Sequence, residues 1–152
     1  MGHYAAGGGA RMGDEAILEE LRGRVAASPF HAGFGLTVVD ADQGSVRLGW
    51  LAREEHRNLQ GLVHGGLLAT LADVAMGLAV RTAIEPGRRH VTIELGVHYV
   101  RPAAPGAVSA IGRVVRVGTQ IAFAEADVLD AHDRLVVRGT GTYSVTAPRE
   151  PG

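Results

Sequence analysis

One short stretch of the chain gathers residues whose types and spacing can do chemistry: Asn58, His64, the pair Gly65-Gly66, and Asp73. Asp73 is the anomaly, being the only charge in the apolar run from Leu67 to Val80. An ionised side chain on an apolar helix loses hydration unless something pairs it or donates hydrogen bonds to it. A helix starting near Gly66 puts Asp73 two turns in, beyond the orphan amides of the first turn, so it is not an N-cap. At about 100° per residue it lines up with Gly66, Gly77 and Val80, flanked by Thr70 and Met76, while Leu67, Leu68, Leu71, Ala75 and Leu78 fill the rest of the circumference. The Asp73 stripe is therefore made mostly of small residues, which lets another backbone or a ligand come close to the carboxylate. Each residue taken singly also has a plain structural reading. Gly65-Gly66 would be a loop-to-helix junction, His64 a hydrogen-bonded imidazole, Asn58 a turn residue, and Asp73 a carboxylate paired across a subunit interface.

The elements that must position these residues follow from periodicity. Residues 1–13, with Gly7-Gly8-Gly9, read as a flexible leader outside the fold. Asp14 is placed to cap a helix carrying Ile17, Leu18, Leu21 and Val25 and ending near Ser28-Pro29. Runs at 35–40 and 45–51 form a hairpin, in the second of which Val46, Leu48 and Trp50 alternate with Ser45, Arg47 and Gly49. Residues 53–63 read as a loop delivering the chain to the apolar helix at Gly65-Gly66, and Pro86-Gly87 turns the chain beyond it. The period then becomes two: Val91, Ile93, Leu95, Val97 and Tyr99 share a face opposite Thr92, Glu94, Gly96 and His98. Further strands are expected at 108–117, 119–129 and 134–145, making consecutive strands of an antiparallel meander. Strands segregated from helices predict an α+β fold of one domain over 14–147, with a short tail at 148–152. A helix so apolar must be wrapped, and a curved antiparallel sheet around it leaves one face for a second copy to close.

Composition removes whole classes of function. A formal charge of −1 gives no basic field for nucleic acid. The absence of Cys excludes disulfides, thiolate metal sites and Cys nucleophiles, and fits a reducing compartment, the cytoplasm being the simplest assignment. The Leu67–Val80 run is shorter than the roughly 20 residues a bilayer needs, so no membrane association is expected. The His residues show no His-x-x-x-His pair, no paired carboxylates accompany them, and no Gly-x-Ser-x-Gly occurs, so neither a metal nor a serine nucleophile is expected.

The motif Asn58-x5-His64-Gly65-Gly66-x6-Asp73 resembles the hotdog-fold acyl-CoA thioesterases, in particular the phenylacetate-degradation (PaaI-like) branch, over about residues 34–145. The resemblance implies hydrolysis of an aryl or medium-chain acyl-CoA without a cofactor. In it, the Gly65 amide receives the developing oxyanion at the helix N-terminus, and Asp73 acts as base or as nucleophile. Asn58 helps to hold the carbonyl or the water, and His64 supports the local hydrogen bonds. The branch also has a hydroxyl residue on the strand after the helix, where Thr92 stands here. Gly66 joins the substrate-binding set, as do basic residues for the CoA phosphates, with Arg116 preferred over Arg88, Arg89 and Arg101. The hydratase arrangement of an Asp and a His a few residues apart before the helix is absent. Within one subunit, Asp73 and Gly65 are eight residues apart, or roughly 12 Å of helix. That is too far to act on one carbonyl, so the resemblance implies an obligate homodimer with opposite subunits supplying the two groups, and a homotetramer as a dimer of dimers. A non-catalytic acyl-CoA-binding module is the competing expectation.

Overall fold

A computed structural model describes residues 12–148. The expected leader lies mostly outside the described residues, as does nearly all of the expected tail. The first helix, α1 (Met12–Ala27), begins two residues before the expected cap, so Asp14 sits within its first turn, where a carboxylate favours the positive end of the helix dipole. Leu21 and Val25 are buried, and Ile17 and Leu18 pack beside them. The helix ends at Ala27, at the expected Ser28-Pro29, but the chain does not pass straight into the hairpin. A six-residue helix, α2 (Pro29–Phe34), intervenes, because the fixed φ of proline suits a first helical turn, and Gly35 closes it in the left-handed region at φ 79°.

Strands β1 (Thr37–Asp42) and β2 (Ser45–Ala52) form the hairpin, with Val46, Leu48, Trp50 and Ala52 all buried. Trp50 stacks on Phe34 with ring centroids 4.9 Å apart and donates its indole N–H to the Phe34 carbonyl at 2.9 Å, which pins α2 to the sheet. The loop that follows contains one 3-10 turn (Glu54–His56) and leads into α3 (Gly65–Ala83). Beyond α3 come β3 (Arg89–Tyr99), β4 (Gly106–Val117), β5 (Ile121–Leu129) and β6 (Leu135–Thr146).

All pairings are antiparallel and the strand order is β1-β2-β4-β5-β6-β3. The expected run of four consecutive neighbours holds for β4-β5-β6 but not for β3, which lies at the sheet edge against β6. The hairpin β1-β2 takes the place beside β4 that a simple meander would give to β3. With β3 carried to the far edge, the sheet can curve around α3 from both sides.

The side of α3 against the sheet is the core: Leu68, Leu71, Ala72, Ala75, Met76, Ala79 and Val80 are buried. By length and composition alone α3 could cross a bilayer, but here it is packed against β2 to β6. Helix and sheet backbones meet at Gly112 of β4, where a Cβ would stand 2.1 Å from the Ala75 carbonyl oxygen. Only glycine lets the sheet backbone meet the helix backbone there.

The period-two reading of β3 fails at one residue. The register runs Thr92 to Tyr143 and then Glu94 to Thr142, which leaves Ile93 as the extra residue of a β-bulge. Directly paired residues share a face. Before the bulge it is therefore His90 and Thr92 that face inward with Val145 and Tyr143; after it, Leu95, Val97 and Tyr99 do so with Gly141, Gly139 and Val137. Val91 and Ile93, expected to share one face with Leu95, Val97 and Tyr99, are 65% and 58% exposed.

Candidate active site

Helix α3 carries both halves of the candidate site. At its N-terminus His64 is the N-cap, in extended conformation, and its Nδ1 accepts the Gly66 N–H at 3.0 Å. The imidazole thus satisfies one orphan amide, and the Gly66 N–H, expected among the substrate-binding groups, is taken by the cap. Gly65 N–H stands at the first helical position, where no carbonyl of the helix can accept from it and where the helix dipole is positive. The Tyr99 hydroxyl donates to the Gly65 carbonyl at 2.7 Å, and its ring lies where a Cβ on residue 65 would approach within 3.1 Å.

Asn58 organises the loop before the helix. Its Oδ1 accepts from the N–H groups of Gln60 at 2.9 Å and Leu62 at 3.1 Å, and its own N–H donates to the Leu62 carbonyl at 2.7 Å. The side-chain carbonyl is therefore engaged in a turn, the role Asx residues take from local geometry. Asn58 and Gly65 nevertheless share one cleft of about 300 Å³, together with Leu68, Tyr99, Val100 and Arg101.

Asp73 lies on a half-buried turn of α3, and Thr92 reaches it: the hydroxyl donates to Asp73 Oδ1 at 2.9 Å. The bulge at Ile93 is what permits this contact, since an unbroken alternation with Leu95 and Val97 would turn Thr92 away. A second hydroxyl, from Tyr143 of β6, donates to the same Oδ1 at 3.0 Å and lies 3.1 Å from the Asp73 main-chain carbonyl. Burial first, and then the Asp73 carboxylate, push the Tyr143 phenol well above its ordinary range, so it stays protonated and serves as a donor.

Tyr143 is not among the residues that the sequence singles out. Its inward phase in β6 is readable from alternation with Val145 and Val137, but its meeting with Asp73 depends on β6 crossing under α3, which local periodicity does not encode. A cleft of about 410 Å³ opens at this point, lined by Asp73, Gly77, Arg81, His90, Thr92 and Tyr143 among others. His90 is held below its ordinary imidazole value by burial and then by the Arg81 charge, with Asp73 pulling the other way. Arg81 itself is engaged by the main-chain carbonyls of Ile84, Glu85 and Arg88 just beyond the end of α3.

The structure thus gathers Asp73 and Thr92 in one cleft and Asn58 and Gly65 in another. In α3, Asp73 is eight residues beyond Gly65, about 12 Å along the axis. Of the basic candidates, Arg88 donates to the Thr119 carbonyl and so ties the start of β3 to the β4–β5 turn. Arg89 and Arg116 are exposed, Arg116 next to another register irregularity, at Val115. Among the described residues no three His, Asp or Glu side chains form a group able to hold a metal.

The carboxylate with two hydroxyl donors and the amide at a helix N-terminus are the parts that ester-type hydrolysis uses. The comparisons with known proteins agree with that chemistry. The thioesterase superfamily pattern matches residues 60–137, which include α3 and strands β3 to β5. A Halobacterium salinarum protein that bears the name esterase is 43% identical over 122 residues, 73% of this chain and 80% of its own length. Human acyl-coenzyme A thioesterase 13 is 30% identical over 131 residues, 84% of this chain and 93% of its own. The Escherichia coli PaaI protein, from the phenylacetic acid degradation operon, superposes with a TM-score of 0.82 over 90% of this chain and 97% of its own; at 18% identity that likeness carries the fold alone. With the six-stranded sheet curved around α3 and this sequence kinship, the chain belongs to the thioesterase superfamily, as a thioester hydrolase of hotdog fold.

Proposed function

We propose that the chain hydrolyses an aryl or medium-chain acyl-CoA to the free acid and CoA, with Asp73 as the reacting carboxylate and the Gly65 N–H as oxyanion donor. The observation that carries this reading is the Asp73 carboxylate held by two hydroxyls at a cleft, on the helix whose own first amide has no partner in its ladder. As a base, Asp73 takes a proton from water as the water oxygen bonds to the thioester carbon. As a nucleophile, it forms a mixed anhydride that water then cleaves. In both routes the C–S bond breaks and the CoA sulfur leaves as thiolate, and the carbonyl oxygen gathers charge in the transition state, where a fixed N–H acts most strongly.

The roughly 12 Å between Asp73 and Gly65 supports a site shared between two subunits of a homodimer. Asn58 and His64 hold the loop and cap that set the Gly65 amide. Arg116, Arg89 and Arg88 are the basic residues proposed for the CoA phosphates; Arg116 and Arg89 are exposed near strand ends, while Arg88 is partly committed to Thr119. Assembly to a homotetramer and a cytoplasmic setting belong to the same proposal.

A panel of aromatic and aliphatic acyl-CoA thioesters with a thiol reagent tests it by CoA release. Asp73→Asn is expected to lower kcat at least about a hundredfold with a smaller change in KM, since it removes a group used in the transition state. Absence of turnover on every thioester, with CoA-ester binding intact, would instead make the chain a non-catalytic acyl-CoA-binding module.

A further inference from the structure

We propose that Tyr143 is a positioning residue that, with Thr92, ties down Oδ1 of Asp73 and so makes Oδ2 the oxygen that meets the water or the thioester carbonyl. The inference rests on Asp73 being the reacting carboxylate. Both hydroxyls converge on one oxygen, at 2.9 Å from Thr92 and 3.0 Å from Tyr143. They come from a single cross-strand pair, Thr92 opposite Tyr143, so their spacing is fixed by the sheet and not by two independent side chains. The Tyr143 phenol also lies 3.1 Å from the Asp73 carbonyl oxygen. One group thus touches both the main chain and the side chain of the same residue and restrains its rotation.

The rest of the surroundings hold Tyr143 in turn. It is 1% exposed, and Gly141, two residues earlier on the same face, clears its ring: a Cβ there would stand 2.7 Å from Cε2. The His90 ring meets it edge-on with centroids 6.0 Å apart. A carboxylate with one oxygen saturated by donors presents the other in a fixed direction, and orientation of a reacting group within about 1 Å is worth orders of magnitude in rate.

Tyr143→Phe keeps the ring and removes the hydroxyl. The expected result is a drop in kcat of roughly ten- to hundredfold with KM within about twofold, because the lost contact orients the reacting group without binding substrate. A carboxylate that loses a donor to its ionised form also holds its proton more firmly, so the acid limb of the kcat/KM profile moves to higher pH. Replacing Tyr143 with 3-fluorotyrosine leaves shape and hydroxyl in place but strengthens the donor, and should move the same limb to lower pH. This second variant keeps the test open if Tyr143→Phe fails to fold. Wild-type kcat with an unmoved acid limb in Tyr143→Phe, or an unmoved limb in the fluorinated protein, would overturn the proposal. Asp73→Asn, measured in parallel, separates the failures. If it is inactive while Tyr143→Phe behaves as wild type, only the positioning role falls; if it retains wild-type kcat, the functional reading falls and the positioning role with it.

Discussion

At the scale of single residues, the groups facing the Asp73 cleft divide by what they can contribute at neutral pH. Tyr143 and Thr92 give hydrogen bonds, and His90 gives a neutral ring. Unfolded, the His90 imidazole takes up its proton near the ordinary value of 6.5; folded, it takes it up only at lower pH, because burial and the Arg81 charge oppose the cation. His31, on the same cleft, is shifted the same way by burial. The unfolded chain therefore binds more protons just below pH 6.5, so their contribution to stability is whole above that value and is lost as pH falls through the folded-state values. Urea midpoints measured from about pH 7.5 down to about 5 should decline, and His90→Gln, which cannot titrate, should flatten part of that slope. An identical slope in the variant would remove His90 from the account. These residues also mark how much of the site is legible in the sequence. Asp73, Gly65 and Asn58 announce themselves by type and spacing, since a lone charge in an apolar run and a glycine at a helix start are local facts. Tyr143 does not, because its role exists only once two distant strands pair.

At the scale of elements, α3 and most strand limits follow from periodicity, whereas β3 defeats it through one residue. A bulge leaves the apolar alternation Val91, Ile93, Leu95, Val97 and Tyr99 intact in the sequence while splitting it between two faces of the sheet. Nothing in the pattern distinguishes this from a regular strand, so the contact of Thr92 with Asp73 emerges only from the register. The crossover of β3 to β6 is hidden for a related reason: strand order is decided by how the whole sheet closes over α3. One point of that closure is Gly112 against Ala75. Gly112→Ala would place a methyl 2.1 Å from a helix carbonyl oxygen, which neither backbone can yield cheaply. We expect a loss of stability of about 3 kcal/mol, at the upper end of overpacking effects, read from chemical denaturation. A change within about 0.5 kcal/mol, the range of ordinary surface substitutions, would mean that the helix is free to move away from β4.

At the scale of the whole molecule, the β3 edge and the roughly 12 Å between Asp73 and Gly65 both bear on the homodimer proposed above. Among the described residues β3 pairs on one side only, and along it Val91, Ile93, Tyr99 and the adjoining Val100 are each more than half exposed. Exposed edge strands are where another chain can pair, and here the Ile93 bulge and Glu94 interrupt the apolar run. If a second copy supplies the missing half, each site takes Asp73 from one subunit and Gly65 from the other, and this can be tested with two dead variants. Asp73→Asn removes the carboxylate. Gly65→Pro removes the amide hydrogen with little disturbance of the helix, since proline is accepted at the first helical position and His64, at φ −60° and ψ 128°, already has the extended backbone that precedes proline. Its ring must displace the Tyr99 side chain by a few tenths of an ångström, because a Cβ on residue 65 would stand 3.1 Å from it. When the two variants are unfolded together and refolded as a mixture, half of the dimers are mixed. Each mixed dimer holds one site with both defects and one with neither, so about a quarter of wild-type activity should return. If both catalytic groups acted from within a single subunit, every site would keep its own defect and the mixture would stay inactive.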